Sequence, residues 1–352
     1  MAGRVGRAGV ALAVAGSLTA LVGCRGGPDV RDDTDDTDVL DSGGVTRAPY
    51  PLANVCIEYA AIAAKLVPWD TLRGPLVDRP GESLSDVSVR FTVGQWHLFA
   101  SRLTVATGRR DVVHLVSVDT TRWSLAEAID LPTAAGLATP DLTRDDDGRF
   151  LLTASEVAAD GATPTTWAWR SDDLSTWDAP EAFDPEQGTG LERATSAVTL
   201  GHAALGLIAM STEDSEPWVS VSRTGEIDGL WAPSAAGPSL VLPRFLRLGE
   251  GWSVLGSQRA GRGPAISALT GDEDTARGWL SWGAPQPLSI PTQTWNLGVP
   301  ATGASLCDAR GIDGFAYLFF AASDTADFVA GHGVIGLARS RDLLTWELPA
   351  AP

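Results

Sequence analysis

Ser171-Asp172-Asp173-Leu174-Ser175-Thr176-Trp177 returns almost unchanged as Ser340-Arg341-Asp342-Leu343-Leu344-Thr345-Trp346, and Val118-Asp119-Thr120-Thr121-Arg122-Trp123 is a third copy. Weaker copies end at Trp231 and Trp282, so a tryptophan closes the same phrase about every 50 to 65 residues. Scattered tryptophans do not keep such a period. Each phrase follows an apolar stretch that opens just after a glycine: Gly94-Gln95-Trp96-His97-Leu98-Phe99-Ala100, Gly148 to Ala154, Gly201 to Ala209, Gly251 to Leu255, and Gly314 to Phe320. Such glycines supply the positive φ of tight hairpin turns. The unit therefore reads as strand, glycine turn, apolar strand, edge strand, and an Asp-Leu-x-x-Trp turn. Repeated, this is the grammar of a four-stranded antiparallel blade, and the expected fold is an all-β, five-bladed β-propeller over residues 51–352. Only Asn54 to Leu66 has a helical look. The tryptophans are read as core residues packed between blades rather than as a sugar-stacking surface.

Outward from the repeat, the N-terminal 50 residues have a different character. Arg4 and Arg7 precede an uncharged apolar stretch, Ala8 to Gly23, closed by Leu21-Val22-Gly23-Cys24. A charged start, a short apolar middle and small residues before a cut describe a secretory signal over residues 1–23. The ending resembles a bacterial lipobox, which implies lipidation at Cys24 and a membrane anchor through that lipid alone. Seven aspartates (Asp29, Asp32, Asp33, Asp35, Asp36, Asp38 and Asp41) then stand among Gly, Thr and Ser. Such a run repels itself and has too little apolar surface to order, so residues 24–50 are read as a disordered acidic tether. It lacks the glycine and distal glutamate of a calcium loop. The expected location is the bacterial cell envelope, periplasmic or at the cell surface.

A formal net charge of −18 argues against nucleic acid or anionic lipid as a partner. With Cys24 lipidated, Cys56 and Cys307 remain, near opposite ends of the mature domain. In an oxidising compartment they can form a disulfide that staples the first segment to the last blade; two buried free thiols are the alternative. His97, His114, His202 and His332 are dispersed and show no metal-ligand spacing, so neither a metal nor a cofactor is expected. His97 and His202 fall on apolar strands and read as hydrogen-bonded core or pocket residues. Asp145-Asp146-Asp147-Gly148 reads as a hairpin turn. No Gly-x-Ser-x-Gly is present, which argues against acyl transfer.

Inner strands of a propeller converge on its axis, so residues that open them can meet there. Three strands open with a carboxylate at nearly the same distance before their turn glycine: Asp86, Asp141 and Glu192. Ser85-Asp86-Val87-Ser88-Val89-Arg90-Phe91, running into Gly94 to Ser101, resembles the first blade of the five-bladed glycoside hydrolases of families 43 and 62. Thr139-Pro140-Asp141-Leu142 resembles their second blade, and Glu192-Arg193-Ala194-Thr195-Ser196 echoes the third. The tryptophan phrases resemble the blade-ending turn shared with family 32.

The resemblance implies Asp86 as general base, Asp141 as the carboxylate that orients the site and tunes the acid, and Glu192 as general acid. It implies Arg90, His97 and Arg193 as substrate-binding residues, and an oligo- or polysaccharide with arabinofuranosyl or xylosyl linkages as the partner of a monomeric enzyme. Inverting hydrolysis needs one charged carboxylate to activate water and a protonated one to serve the leaving oxygen. A third negative group raises the acid's pKa. The chain departs from the pattern in having Val87 after Asp86 and Arg193-Ala194 after Glu192, and an arginine there can pair with the acid and lower its pKa. A non-catalytic surface propeller that binds glycan or protein is the alternative. A sialidase-like propeller ranks below both, because the Ser-x-Asp phrase is one residue shorter than an Asp-box, lacks its glycine, and comes without an arginine trio.

Overall fold

In the computed structural model, residues 56–57, 66–129, 136–144, 148–157, 165–183, 194–199, 205–209, 218–222, 235–236, 240–248, 251–258, 263–271, 281–326 and 332–351 are described. The leader, the acidic tether, most of Asn54 to Leu66, Asp145 to Asp147, Glu192, Arg193, His202 and Trp231 lie outside them.

The first sheet shows how local sequence makes a blade. β1 (Glu82–Thr92) and β2 (Gln95–Thr104) pair antiparallel across Val93 and Gly94, with φ of 51° and 80°. This is a type I′ turn, whose backbone twist matches that of the flanking strands. β3 (Arg109–Ser117) and β4 (Ser124–Ile129) complete the order β1-β2-β3-β4.

The same order recurs in four further sheets. They are β5 (Gly136–Arg144), β6 (Phe150–Val157), β7 (Thr166–Ser171) and β8 (Glu181–Phe183); β9 (Ala194–Thr199), β10 (Leu205–Ala209), β11 (Trp218–Ser222) and β12 (Ala235–Ala236); β13 (Val241–Leu248), β14 (Gly251–Ser257), β15 (Pro264–Ala268) and β16 (Gln286–Pro287); and β17 (Val299–Ala309), β18 (Phe315–Ser323), β19 (Gly333–Ser340) and β20 (Trp346–Glu347). The first strands touch in sequence, β1 to β5, β5 to β9, β9 to β13, β13 to β17 and β17 back to β1. This is an all-β propeller of four-stranded antiparallel blades, with first strands innermost.

The tryptophan phrase joins the third strand of a blade to the fourth, so it precedes the edge strand instead of ending the blade. Its aspartate makes the turn. Asp173 Oδ1 accepts the N–H groups of Ser175 and Thr176 at 2.8 and 2.9 Å, and Asp342 Oδ1 those of Leu344 and Thr345 at 2.8 and 2.7 Å. The next residue, Thr120, Leu174 or Leu343, takes a positive φ of 62–65°. Such an Asx turn supplies locally the hydrogen bonds that a ladder would otherwise provide. Trp346 is buried, whereas Trp123 and Trp177 pack half-buried against the inter-blade clusters.

The chain ends close the ring. Leu76 and Val77 hydrogen-bond to Ile335 of β19, and Ile57 bridges Phe91 at the end of β1, where the Cys56 carbonyl accepts the Phe91 N–H at 2.7 Å. Cys56 is disulfide-bonded to Cys307 of β17, with Cα atoms 5.0 Å apart, so the first segment is stapled to the last sheet.

Candidate functional site

The innermost strands share a device that the sequence does not announce. β1, β5, β13 and β17 each break register at a bulge, between Ser85 and Val87, Ala138 and Asp141, Val241 and Arg244, and Thr302 and Ser305. Within each bulge one residue has a left-handed backbone: Asp86 (φ 49°), Thr139 (54°), Leu242 (49°) and Gly303 (48°). A bulge with such a residue bends the strand and re-aims the side chains after it. Two residues further on stand Ser88, Asp141, Arg244 and Ser305, and all four line one cavity together with Arg90 and hydrophobic residues of the same strands.

Measured from the bulge, Asp86 and Asp141 are therefore not equivalent. Asp86 is itself the left-handed residue and its counterpart is Thr139; Asp141 is the counterpart of Ser88. Counting from the turn glycine hides this, because the β1–β2 turn spans Val93-Gly94 whereas the β5–β6 connection runs from Asp145 to Arg149.

Asp86 is 8 % exposed. Its Oδ2 accepts the hydroxyls of Ser85 and Ser101, each at 3.1 Å, and Ser101 Oγ in turn accepts the Thr139 N–H at 2.8 Å. Its Oδ1 has no hydrogen-bond partner among the described residues and faces Gly303 of β17. A Cβ on Gly303 would stand 2.6 Å from that oxygen and 2.7 Å from the Asp86 Cα. The equivalent positions of the other bulges carry side chains, so it is this close approach that calls for glycine here.

Asp141, 6 % exposed, receives the Ser88 hydroxyl at 3.4 Å, while Ser88 Oγ accepts the Leu142 N–H at 2.9 Å. Arg244, 4 % exposed, reaches in from β13. Its Nη1 donates to the Val87 carbonyl, beside Asp86, and lies 3.9 Å from Asp141 Oδ1. Burial lowers the Arg244 pKa from its ordinary value, while the charges of Asp141 and Asp86 hold it up. One guanidinium thus sits in the field of both carboxylates. Arg244 was not singled out from sequence, although Leu242-Pro243-Arg244 repeats the x-Pro-charged pattern of Thr139-Pro140-Asp141 and could have marked it.

The remaining candidates take other places. Arg90 donates to the Leu142 carbonyl at 3.0 Å and lines the axial cavity. His97, 4 % exposed, lies inside the first sheet, its Nδ1 2.9 Å from His114 Nε2. His114 stacks on Phe99 and reaches Glu127, which also accepts the Trp177 indole N–H at 2.6 Å. His332 lies near Asp78 at 3.4 Å. Among the described residues no group of three His, Cys, Asp or Glu is placed to hold a metal ion.

No protein-family model and no curated protein sequence matches the chain. Solved structures do. An α-L-arabinofuranosidase from Podospora anserina, in complex with cellotriose, is 13 % identical, with 82 % of this chain and 100 % of that one covered at a TM-score of 0.55. The likeness is one of fold. The catalytic domain of a GH62 α-L-arabinofuranosidase from Coprinopsis cinerea is 14 % identical over 75 % of this chain and 94 % of its own, at 0.55. The GH43_1 enzyme of Xanthomonas citri, complexed with xylose, is 13 % identical over 80 % and 97 %, at 0.53.

Proposed function

We propose that this chain is an exported, lipid-anchored glycoside hydrolase whose five sheets act as the blades of one propeller and which cleaves arabinofuranosyl or xylosyl linkages with inversion. Asp86 is the general base, Asp141 orients the site, and Glu192 is the general acid, with Arg193 beside it contacting substrate. The observation that carries the reading is Asp86. One carboxylate oxygen is fixed by Ser85 and Ser101, and the other is left uncommitted over Gly303. A general base needs this combination of a held orientation and an available lone pair. The shared fold of two arabinofuranosidases and a xylose-bound enzyme supports the linkage class. Export to an oxidising compartment is supported by the Cys56–Cys307 disulfide.

The test is release of sugar from aryl arabinofuranosides, aryl xylosides and arabinoxylan, with the anomer of the first product read by NMR. Asp86→Asn and Glu192→Gln are expected to lower kcat by roughly 10²–10⁴-fold while the melting temperature holds. No turnover on a broad glycan panel overturns the reading. The anchor is tested separately: Cys24→Ala is expected to move the protein from the membrane fraction to the soluble one.

One observation favours a non-catalytic propeller that binds glycan or protein. A buried guanidinium 3.9 Å from Asp141 favours its charged form and offsets the negative field that would keep Glu192 protonated. Calorimetry separates the two readings: glycan binding that survives Glu192→Gln, with no hydrolysis by the parent protein, supports the binder.

A further inference from the structure

The bulge of the second blade leaves a main-chain group without a ladder partner. Register between β5 and β6 steps from Ala138 opposite Ser155 to Asp141 opposite Thr153, so Thr139 and Pro140 stand outside it. Proline has no N–H, and the amide left to satisfy is that of Thr139, a buried residue. Its acceptor comes from the first blade: Ser101 Oγ, on β2, takes the Thr139 N–H at 2.8 Å. Without an acceptor, that buried N–H would be costly.

This bond fixes what Ser101 does with its own hydrogen. A serine hydroxyl has one, and with the Thr139 N–H on its lone-pair side the hydrogen goes to Asp86 Oδ2, 3.1 Å away. Thr139 N–H, Ser101 O–H and the Asp86 carboxylate form a directional row in which each bond polarises the next. Ser85 reaches the same oxygen at 3.1 Å, but it is the neighbour of Asp86 on β1 and moves with it. Of the two serines, only Ser101 ties the carboxylate to another blade. On its other side Asp86 meets Gly303 of β17, so the carboxylate is set between a donor anchored by the second blade and a wall supplied by the last sheet. We propose that Ser101 is a positioning residue for Asp86: it carries the main-chain position of the second blade's bulge to the base, engages Oδ2, and so leaves Oδ1 as the free oxygen. The inference rests on Asp86 being the base proposed above, and Ser101 acts through Asp86 rather than on substrate.

The experiment compares the full chain with Ser101→Ala and Ser101→Thr. On an aryl glycoside that the parent cleaves, Ser101→Ala is expected to lower kcat by about 10–100-fold, the scale of a reacting group displaced by about an ångström, with KM changed less than about two-fold. Ser101→Thr keeps the hydroxyl and is expected to restore kcat to within several-fold of the parent. Should Ser101→Ala fail to fold, Ser101→Cys, which keeps the volume and replaces the hydroxyl with a weak donor, carries the same comparison. A serine that only stabilises the fold would lower the melting temperature and leave kcat unchanged in assays well below it; that result overturns the proposal, as does a Ser101→Thr variant as slow as Ser101→Ala. The second readout needs no turnover. Crystals of Ser101→Ala are expected to show the Asp86 carboxylate turned about its Cβ–Cγ bond, with Oδ1 no longer presented to Gly303, and an unmoved carboxylate overturns the positioning role. A parent that cleaves no glycoside ends the hydrolase reading by itself, while the crystals still decide whether Ser101 sets the carboxylate.

Discussion

Cutting the Cys56–Cys307 bridge should weaken the domain by an amount that follows from its span. The two cysteines are 251 residues apart, so the bond closes nearly the whole domain into one loop. The chain-entropy relation gives about 5.5 kcal/mol for a loop of that length, and native bridges typically deliver 2–5 kcal/mol. The local structure agrees that the loss is real. Cys307 is fully buried, and the Cys56 carbonyl holds the Phe91 N–H, so freeing the segment loosens the end of β1 as well as the junction of first and last sheets. With an unfolding entropy of about 2.1 cal/mol/K per residue over roughly 300 residues, 2–5 kcal/mol corresponds to about 3–8 °C. Calorimetry of the Cys56→Ala/Cys307→Ala variant reads this directly, and alanine avoids placing an unpaired hydroxyl at the buried position. The reasoning fails if the variant melts within a degree of the parent, or if denatured, unreduced mature protein yields two free thiols.

Three further outcomes are expected. Val93 is 84 % exposed at φ 51°, a conformation β-branched residues resist; Val93→Asn should stabilise by about 1 kcal/mol, read as a small rise in denaturation midpoint at unchanged m-value. Gly303→Ala places a methyl 2.6 Å from Asp86 Oδ1, so it should cost about 1–3 kcal/mol and, if Asp86 is the base proposed above, lower kcat on a glycoside more than it raises KM. The turn aspartates Asp173 and Asp342 are depressed from 3.8 to about 2, the first chiefly by the Ser175 hydroxyl and the second by the Thr345 and Leu344 N–H groups. Because their folded pKa is below the unfolded one, their contribution is complete above the ordinary value and is lost as pH falls towards 2. Asp173→Asn/Asp342→Asn should therefore flatten the acid limb of melting temperature against pH, and an unchanged limb would remove these turns from the acid response.

Local chemistry wrote much of the fold into the chain. An aspartate that caps its own turn, a left-handed residue after it and a tryptophan behind it need few partners beyond a dozen residues, so the phrase around Asp173 and Asp342 is legible by eye. The same holds for the Val93-Gly94 hairpin. The Cys56–Cys307 pairing was open on sequence, where two free thiols fitted as well; only the docking of the first segment beside Phe91 brings the two cysteines together. The bulges at Asp86, Thr139, Leu242 and Gly303 were invisible for a related reason: left-handed φ at Asp, Thr and Leu is imposed by neighbouring strands, not by the residues. That is why a count from the turn glycine makes Asp86 and Asp141 look equivalent when the bulges show that they are not. Arg244 went unseen because a guanidinium acquires meaning here only through the carboxylates of other blades.

From the amino-acid order alone come the repeat, the antiparallel blade and the acidic candidates, because each rests on contacts within one hairpin or turn. Tertiary closure decided the rest: which strand positions face the axis, that Arg244 sits in the field of both Asp86 and Asp141, and that a glycine of the last sheet makes room for a carboxylate of the first. Those relations depend on backbone bends and on distances between segments more than 50 residues apart, and no local pattern carries them.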